Sequence, residues 1–230
     1  MKAIALLGGP KEEWTNEIQT VFKEAKKNGD LVIGVDRGSY LLEELGIMPD
    51  LAIGDFDSLK KEELTKIESN VKDIRYSNPV KDWTDSELMI KSVFAGYNAK
   101  SLTIYGATGG RIDHFLVNLF MFLNPEIKKY AEKVTLIDQQ NLIRFFLPGH
   151  HVITKEKDYP YFGVASLAAI QNLNISKAKY FLENYSGDYP RVFASNEFRQ
   201  DRDEFELDFD SGFISVIFSK DIDKFEHAMN

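Results

Sequence analysis

Leu51-Ala52-Ile53-Gly54-Asp55-Phe56-Asp57-Ser58 runs from three apolar residues straight into two carboxylates. The apolar run reads as a short buried strand. Residues two apart on an extended chain face the same side, so Asp55 and Asp57 are expected to point into one volume. Like charges placed that way repel unless a cation or a shared proton lies between them. Asp, Gly and Ser also build ordinary turns at strand ends, so the stretch alone permits a purely structural reading. Its surroundings decide. The apolar runs at 31–35 and 102–105 and the short strand-like stretch at 74–77 lead into Asp36-Arg37-Gly38-Ser39, Gly106-Ala107-Thr108-Gly109-Gly110-Arg111 and Lys81-Asp82-Trp83-Thr84-Asp85, respectively.

A further apolar run at 3–7 opens the series, and helical periods fill the gaps at 14–27, 40–45, 60–69 and 85–97. In the helix after the glycine loop, Ile112, Phe115, Leu116, Leu119, Phe120 and Leu123 share one face, while Arg111, His114 and Asn118 share another. Alternating strand and helix implies right-handed crossovers and a parallel sheet between helical layers. Ligands of such sheets bind outside the carboxyl ends of the strands. All four polar clusters fall on that edge.

After Pro125 the pattern changes. Runs at 142–147, 151–154, 162–169, 178–182, 192–198, 204–209 and 213–218 are separated by turn signals such as Pro148-Gly149 and Asp210-Ser211-Gly212. Glu204-Phe205-Glu206-Leu207-Asp208-Phe209 alternates strictly. The expected fold is therefore an α/β, three-layer, parallel-sheet domain over 1–139, then a smaller antiparallel β-sandwich over 140–230.

The 230 residues suffice for a sizeable core. A net charge of −8 argues against a nucleic-acid face, which needs a basic patch. It leaves anionic substrates open, because carboxylates hold phosphates through a divalent metal. The absence of cysteine excludes disulfides and thiolate metal sites and points to the cytoplasm. No run reaches membrane-spanning length, so no membrane partner is expected.

Gly106–Arg111 lacks the spacing of the common phosphate-binding loops, but glycines before a helix still offer N–H groups to a phosphate. Arg111 can add a bidentate contact. Asp82, Thr84 and Asp85 read either as a helix N-terminus or as metal ligands. His114 stands beside Arg111 and Asp113, whereas His150-His151 has no partner at ligand spacing. No Ser-His-Asp or Cys-His arrangement can be assembled.

The series Asp36-Arg37-Gly38, Pro49 to Ser58, Lys81-Asp82-Trp83-Thr84-Asp85-Ser86-Glu87 and Gly106 to His114 resembles, in order and spacing, the motifs of thiamine pyrophosphokinases. Leu116 and Asn118 fit the helix that follows, and Pro148-Gly149 and Ser195-Asn196-Glu197-Phe198 resemble later positions. Two stretches depart: Lys177-Ala178 stands where the family often has Gly-Leu, and 187–193 lacks the usual glycine-containing loop.

The resemblance implies transfer of the pyrophosphoryl group of ATP to the hydroxyethyl oxygen of thiamine, with magnesium, in a homodimer with shared active sites. It implies a catalytic set of Asp55, Asp57, Asp82, Asp85, Arg111 and Asp113. Asp55, Asp57 and Asp82 would hold the metal, with Asp36 and Asp85 as second choices. Asp36, Arg37, Gly38, Lys81, Thr108, Gly109, Gly110, Arg111 and His114 would line the ATP phosphates. Asp113, Ser195 and Asn196 would meet thiamine, and Asp113 would fix Arg111 or face the substrate. A pterin pyrophosphokinase, a magnesium-dependent Asp-x-Asp nucleotide-sugar transferase and a non-catalytic nucleotide sensor remain as alternatives.

Overall fold

A computed structural model describes residues 1–77 and 83–221. Lys81 and Asp82 therefore lie outside the described residues. The chain divides into two compact units, Met1–Gln139 and Gln140–Asn230.

The strands of the first unit are β1 (Ala3–Leu6), β2 (Leu31–Val35), β3 (Leu51–Gly54), β4 (Asp73–Tyr76), β5 (Leu102–Tyr105) and β6 (Val134–Ile137). They pair in parallel in the order β6-β5-β1-β2-β3-β4. Every residue of β1, β2 and β3 is buried, as befits strands covered on both faces. The helices are α1 (Ile18–Lys27), α2 (Arg37–Glu44), α3 (Lys61–Asn70), α4 (Asp85–Lys91), α5 (Ile112–Phe120) and the short α6 (Pro125–Lys128).

Ile4 pairs with Val32, and both join Leu6 in a cluster with Ile18 and Phe22 of α1 and Leu41 and Leu42 of α2. Ile67 of α3 packs on Ala52 and Phe56. Met89, Ile90 and Val93, in α4 and the turn after it, are buried, and α4 contacts β2 and β3. Fully burying one side chain of this size contributes roughly 1.5–3 kcal/mol. The strand order reverses between β1 and β5, and at such a switch a crevice opens at the carboxyl edge.

Boundaries shift for local reasons. A 3₁₀ turn at Lys11–Glu13 delays α1 to Ile18. α2 starts at Arg37 because Gly38 packs its first turn against β1, where a Cβ would lie 1.9 Å from the Leu6 carbonyl oxygen. α4 ends at Lys91 and continues as a wider π turn, Ser92–Gly96. In α5, Leu119 is buried, but Ile112 is 73% exposed and Leu116 and Val117 are also exposed.

The second unit contains β7 (Asn141–Phe146), β8 (Gly149–Thr154), β9 (Tyr161–Ser166), β10 (Ile170–Ser176), β11 (Leu182–Gly187), β12 (Arg191–Glu197), β13 (Glu204–Phe209) and β14 (Ile214–Ser219). Within it the orders are β12-β9-β14-β7 and β11-β10-β13-β8, with antiparallel pairing throughout. Phe162 of β9 stacks on Phe205 of β13 at 4.0 Å, joining the two sheets as a sandwich. The strand expected at 178–182 is not formed; only an isolated bridge joins Ala178 to Phe198. Strands β10 and β11 flank that segment instead. Among the described residues no helix is long and apolar enough to cross a membrane.

Candidate active site

The acidic edge is built by turns rather than by strand alternation. Phe56 takes a left-handed conformation (φ 58°) between the two carboxylates, and its ring is buried on Ala52 and Ile67. The chain therefore folds back after β3, and the Asp57 N–H donates to Asp55 Oδ1 at 3.1 Å. The expected extended Asp55-Phe56-Asp57 is corrected accordingly. The two carboxylates meet because burial of Phe56 holds the turn.

Asp36 follows β2 and is itself left-handed (φ 50°), a conformation that is costly for a side chain with a Cβ. Its N–H donates to the Ile53 carbonyl at 2.7 Å, and its Oδ2 accepts from Ser58 Oγ at 3.0 Å. Oδ1 is buried with no hydrogen-bond partner among the described residues. Asp36, Asp55 and Asp57 each bring one carboxylate oxygen within 4.8 Å of the others, a spacing that can hold a cation. Burial pushes the Asp36 carboxyl above the ordinary carboxylate range; the Ser58 hydrogen bond opposes this, and the charges of Asp55, Asp85 and Asp57 reinforce it.

Asp85 is the first residue of α4. Thr84 caps that helix: its Oγ1 accepts from the Glu87 N–H at 3.3 Å, and its N–H donates to Glu87 Oε2 at 2.9 Å. Burial also raises the Asp85 carboxyl, opposed by a hydrogen bond from Ser77 and reinforced by Asp55 and Asp57.

Facing these acids is the glycine loop after β5. Gly109 is left-handed (φ 75°), and a Cβ there would lie 2.5 Å from Glu13 Cγ, so the loop requires glycine. Thr108 Oγ1 is buried without a hydrogen-bond partner among the described residues. Arg111 Nε and Nη2 donate to Asp113 Oδ1 and Oδ2 at 3.2 and 2.6 Å. This fork holds the Asp113 carboxyl below its ordinary value, and both side chains are exposed, as is His114.

A cavity of about 440 Å³ brings Asp36 and Asp85 together with the glycine loop; Asp55, Asp57 and Asp113 are not in its wall. Its walls include Asp36, Arg37 and Asp85 on one side and Thr108, Gly109, Gly110, Arg111 and His114 on the other. Arg37 Nη1 donates to the Ser58 carbonyl at 3.3 Å. Gly38, in the first turn of α2, is buried against β1 and is absent from the cavity wall.

Sequence reasoning missed Gly8-Gly9-Pro10, Ser58, Ser86 and Val117, which also line the cavity. The Gly-Gly-Pro run directly after the first strand carried the same strand-end signal as the four clusters. Asn118, named before by its helix face and by its fit to the resembled family's helix, proves to be buried in that wall.

In the second unit, Ser195 is exposed and left-handed (φ 59°) at a break in the β12–β9 register. Its neighbour differs. Asn196 is buried, donates to the Tyr180 carbonyl at 2.7 Å, and accepts from the N–H groups of Tyr180 and Glu197 at 3.0 and 2.9 Å. The Asn196 amide thus anchors the chain around Tyr180. Lys177, standing where the resembled family often has glycine, is left-handed as well (φ 60°).

The family model described as thiamin pyrophosphokinase, catalytic domain, matches residues 22–136, and the one described as thiamin pyrophosphokinase, vitamin B1 binding domain, matches 150–214. The chain is 36% identical to thiamine pyrophosphokinase of Bacillus subtilis over 155 residues, covering 67% of this chain and 71% of that protein. A crystal structure of a thiamin pyrophosphokinase family protein from Enterococcus faecalis is similar with a TM-score of 0.84 at 34% identity, covering 96% of this chain and all of that one. A Lactobacillus plantarum protein is similar with a TM-score of 0.85 at 35% identity over the same shares of the two chains.

Proposed function

The chain belongs to the thiamin pyrophosphokinase family, and we infer from its cavity how that activity is carried. The enzyme transfers the pyrophosphoryl group of ATP to thiamine, giving thiamine pyrophosphate and AMP. The hydroxyethyl oxygen bonds to the β-phosphorus and gives up its proton to a nearby carboxylate or to solvent, the bond from that phosphorus to the α-bridging oxygen breaks, and AMP departs with that oxygen. Such chemistry asks the protein to position groups and to stabilise charge.

The observation that carries the reading is a cluster of three carboxylates, one of which, Asp36, lines the same cavity as the glycine loop. The triad fits magnesium: its oxygens converge, and Asp36 Oδ1 is buried without a donor among the described residues. Magnesium there would offset the carboxylate charge and shield the polyphosphate of ATP. Asp36, Asp55 and Asp57 are its proposed ligands, with Asp82 added from the sequence and Asp85 beside them. Asp36 thereby moves from the phosphate set to the metal set, since a carboxylate repels a phosphate. Thr108, Gly109 and Gly110 would cradle the phosphates, with Arg37, Lys81, Arg111 and His114 at their edge. Asp113 would orient Arg111.

We assign ATP and metal to 1–139, and thiamine recognition and dimerisation to 140–230, with Ser195 as the thiamine contact. A homodimer with shared sites is supported by exposed apolar side chains that a partner copy would cover: Ile112, Leu116 and Val117 in the first unit, and Phe181, Tyr189 and Val192 in the second. Light scattering should then give twice 26.3 kDa, and Phe181→Glu should yield monomer; a monomeric wild type would end this part of the reading. A cytoplasmic location accords with a chain without cysteine.

The activity is tested by product chromatography after incubation with ATP, magnesium and thiamine. Equal amounts of AMP and thiamine pyrophosphate are expected. ADP as the stoichiometric product would overturn the reading.

A further inference from the structure

The two arms of the site meet in one buried side chain. Asn118, on α5, donates from Nδ2 to the carbonyl of Ala107 in the glycine loop at 2.9 Å. Its Oδ1 accepts from the hydroxyl of Ser86, the residue after Asp85 on α4, at 2.7 Å. Asn118, Ser86 and Ala107 are all buried, at 6, 8 and 4% exposure. A carbonyl only accepts, so Ala107 fixes which end of the amide is nitrogen, and the Ser86 hydroxyl must then donate. The primary amide of Asn118, with a donor and an acceptor on one rigid plane, satisfies both arms. Aspartate would set oxygen against the Ala107 carbonyl, and leucine would satisfy neither.

We propose that Asn118 is a positioning residue that fixes the distance between the glycine loop and the Asp85 end of α4. The inference rests on the reading of the loop as a phosphate cradle and of the acids as a metal site. Turning the Ala107 carbonyl away rotates the peptide it shares with Thr108, and with it the Thr108 N–H beside the buried Thr108 Oγ1. Freeing Ser86 loosens the first turn of α4 at Asp85. A second tether allows a comparison: Asn124 Nδ2 donates to Glu87 Oε1 at 3.1 Å, holding α4 without touching the loop.

The test compares Ser86→Ala, Asn118→Asp and Asn124→Ala with wild type, well below their melting temperatures. ADP binding without metal and the magnesium concentration for half-maximal turnover are measured. Ser86→Ala should raise the magnesium requirement about 3–10-fold while leaving metal-free ADP binding within twofold, because it cuts the α4 arm alone. Asn118→Asp should weaken ADP binding and raise the magnesium requirement, each by about 10-fold or more. Asn124→Ala should lower the melting temperature without moving either constant.

If Ser86→Ala and Asn118→Asp only lower the melting temperature, or Asn124→Ala shifts the constants equally, Asn118 is a packing residue and the proposal fails. Should Asn118→Asp not fold, Ser86→Ala decides alone. A wild type that neither binds ADP nor turns over with magnesium overturns the functional reading, and the proposal falls with it; an active wild type with unshifted variants overturns the proposal only.

Discussion

The two units present polar groups in different ways. In the first, the central strands are buried end to end, and their polar residues hang from the turns beyond β2, β3 and β5. In the second, strands such as β13 alternate buried and more open residues, and the proposed ligand residue emerges from a mid-strand irregularity at Ser195. A parallel sheet collects side chains from distant segments at one edge, because all its strands end there. An antiparallel sandwich splits its strand ends between two edges, so convergence must come from local distortion. Chemistry that needs several carboxylates around one point suits the first plan.

The largest effect should follow from removing one carboxylate at that edge. Asp57→Asn is expected to lower turnover by about 10³-fold or more, equivalent to ~4 kcal/mol of barrier, with no loss of melting temperature. Wild-type turnover in this variant would move the chemistry away from the strand ends and erase the contrast. Next in size is a core lesion in the other unit. Phe205 is fully buried and stacks on Phe162, so Phe205→Ala should cost about 3–5 kcal/mol in urea denaturation. The rise in melting temperature expected on adding magnesium and ATP, which are assigned to the first unit, should survive it. Loss of that shift in the folded variant would show that nucleotide binding is not confined to the first unit.

A smaller change sharpens the role of helix starts at the acidic edge. Thr84→Ala removes the cap of α4 and should cost about 1 kcal/mol of stability and measurably reduce turnover through Asp85. Stability loss without any change in turnover would detach Asp85 from the chemistry.

The smallest shift carries a sign. Burial and neighbouring charges raise the Asp36 carboxyl in the fold, so between its unfolded and folded values the native state holds the proton more tightly. Its contribution is thus present at acid pH and is lost as pH rises through the raised value. Without metal, Asp36→Asn should melt slightly above wild type at pH 7, and the gap should close as pH falls through the carboxylate range. With magnesium and ATP the order should reverse, since the wild type alone gains the full ligand stabilisation. A metal-free variant melting below wild type at pH 7 would refute this account of Asp36.

The same contrast explains what the sequence made legible. Apolar runs at β2 and β5 gave their strands directly, because burial on both faces leaves an unbroken hydrophobic signal. The motif clusters at the ends of β2, β3 and β5 marked the candidate site for the same reason. Strand β10 was hidden: Asn172 is left-handed, and the β10–β11 register shifts beside it, so Ile170, Leu173 and Ile175 break a period of two. For α5, periodicity told which residues share a face but not what covers them, and Ile112 and Leu116 proved exposed. The turn at Phe56 and the burial of Asn196 depend on partners distant in sequence, which no local pattern reports.

Strand β14 lies between β9 and β7, so the last strand of the second unit is inserted at the middle of its sheet. During synthesis the strands of the first unit are complete once Ile137 has emerged, whereas β7 and β9 cannot be bridged until Ile214–Ser219 arrives. At about 5–20 residues per second, that leaves both edges waiting for several seconds or more on the ribosome. Any factor that shields nascent strands should therefore act on this interval, and a chain stopped before Ile214 should release a competent first unit joined to an aggregation-prone second one.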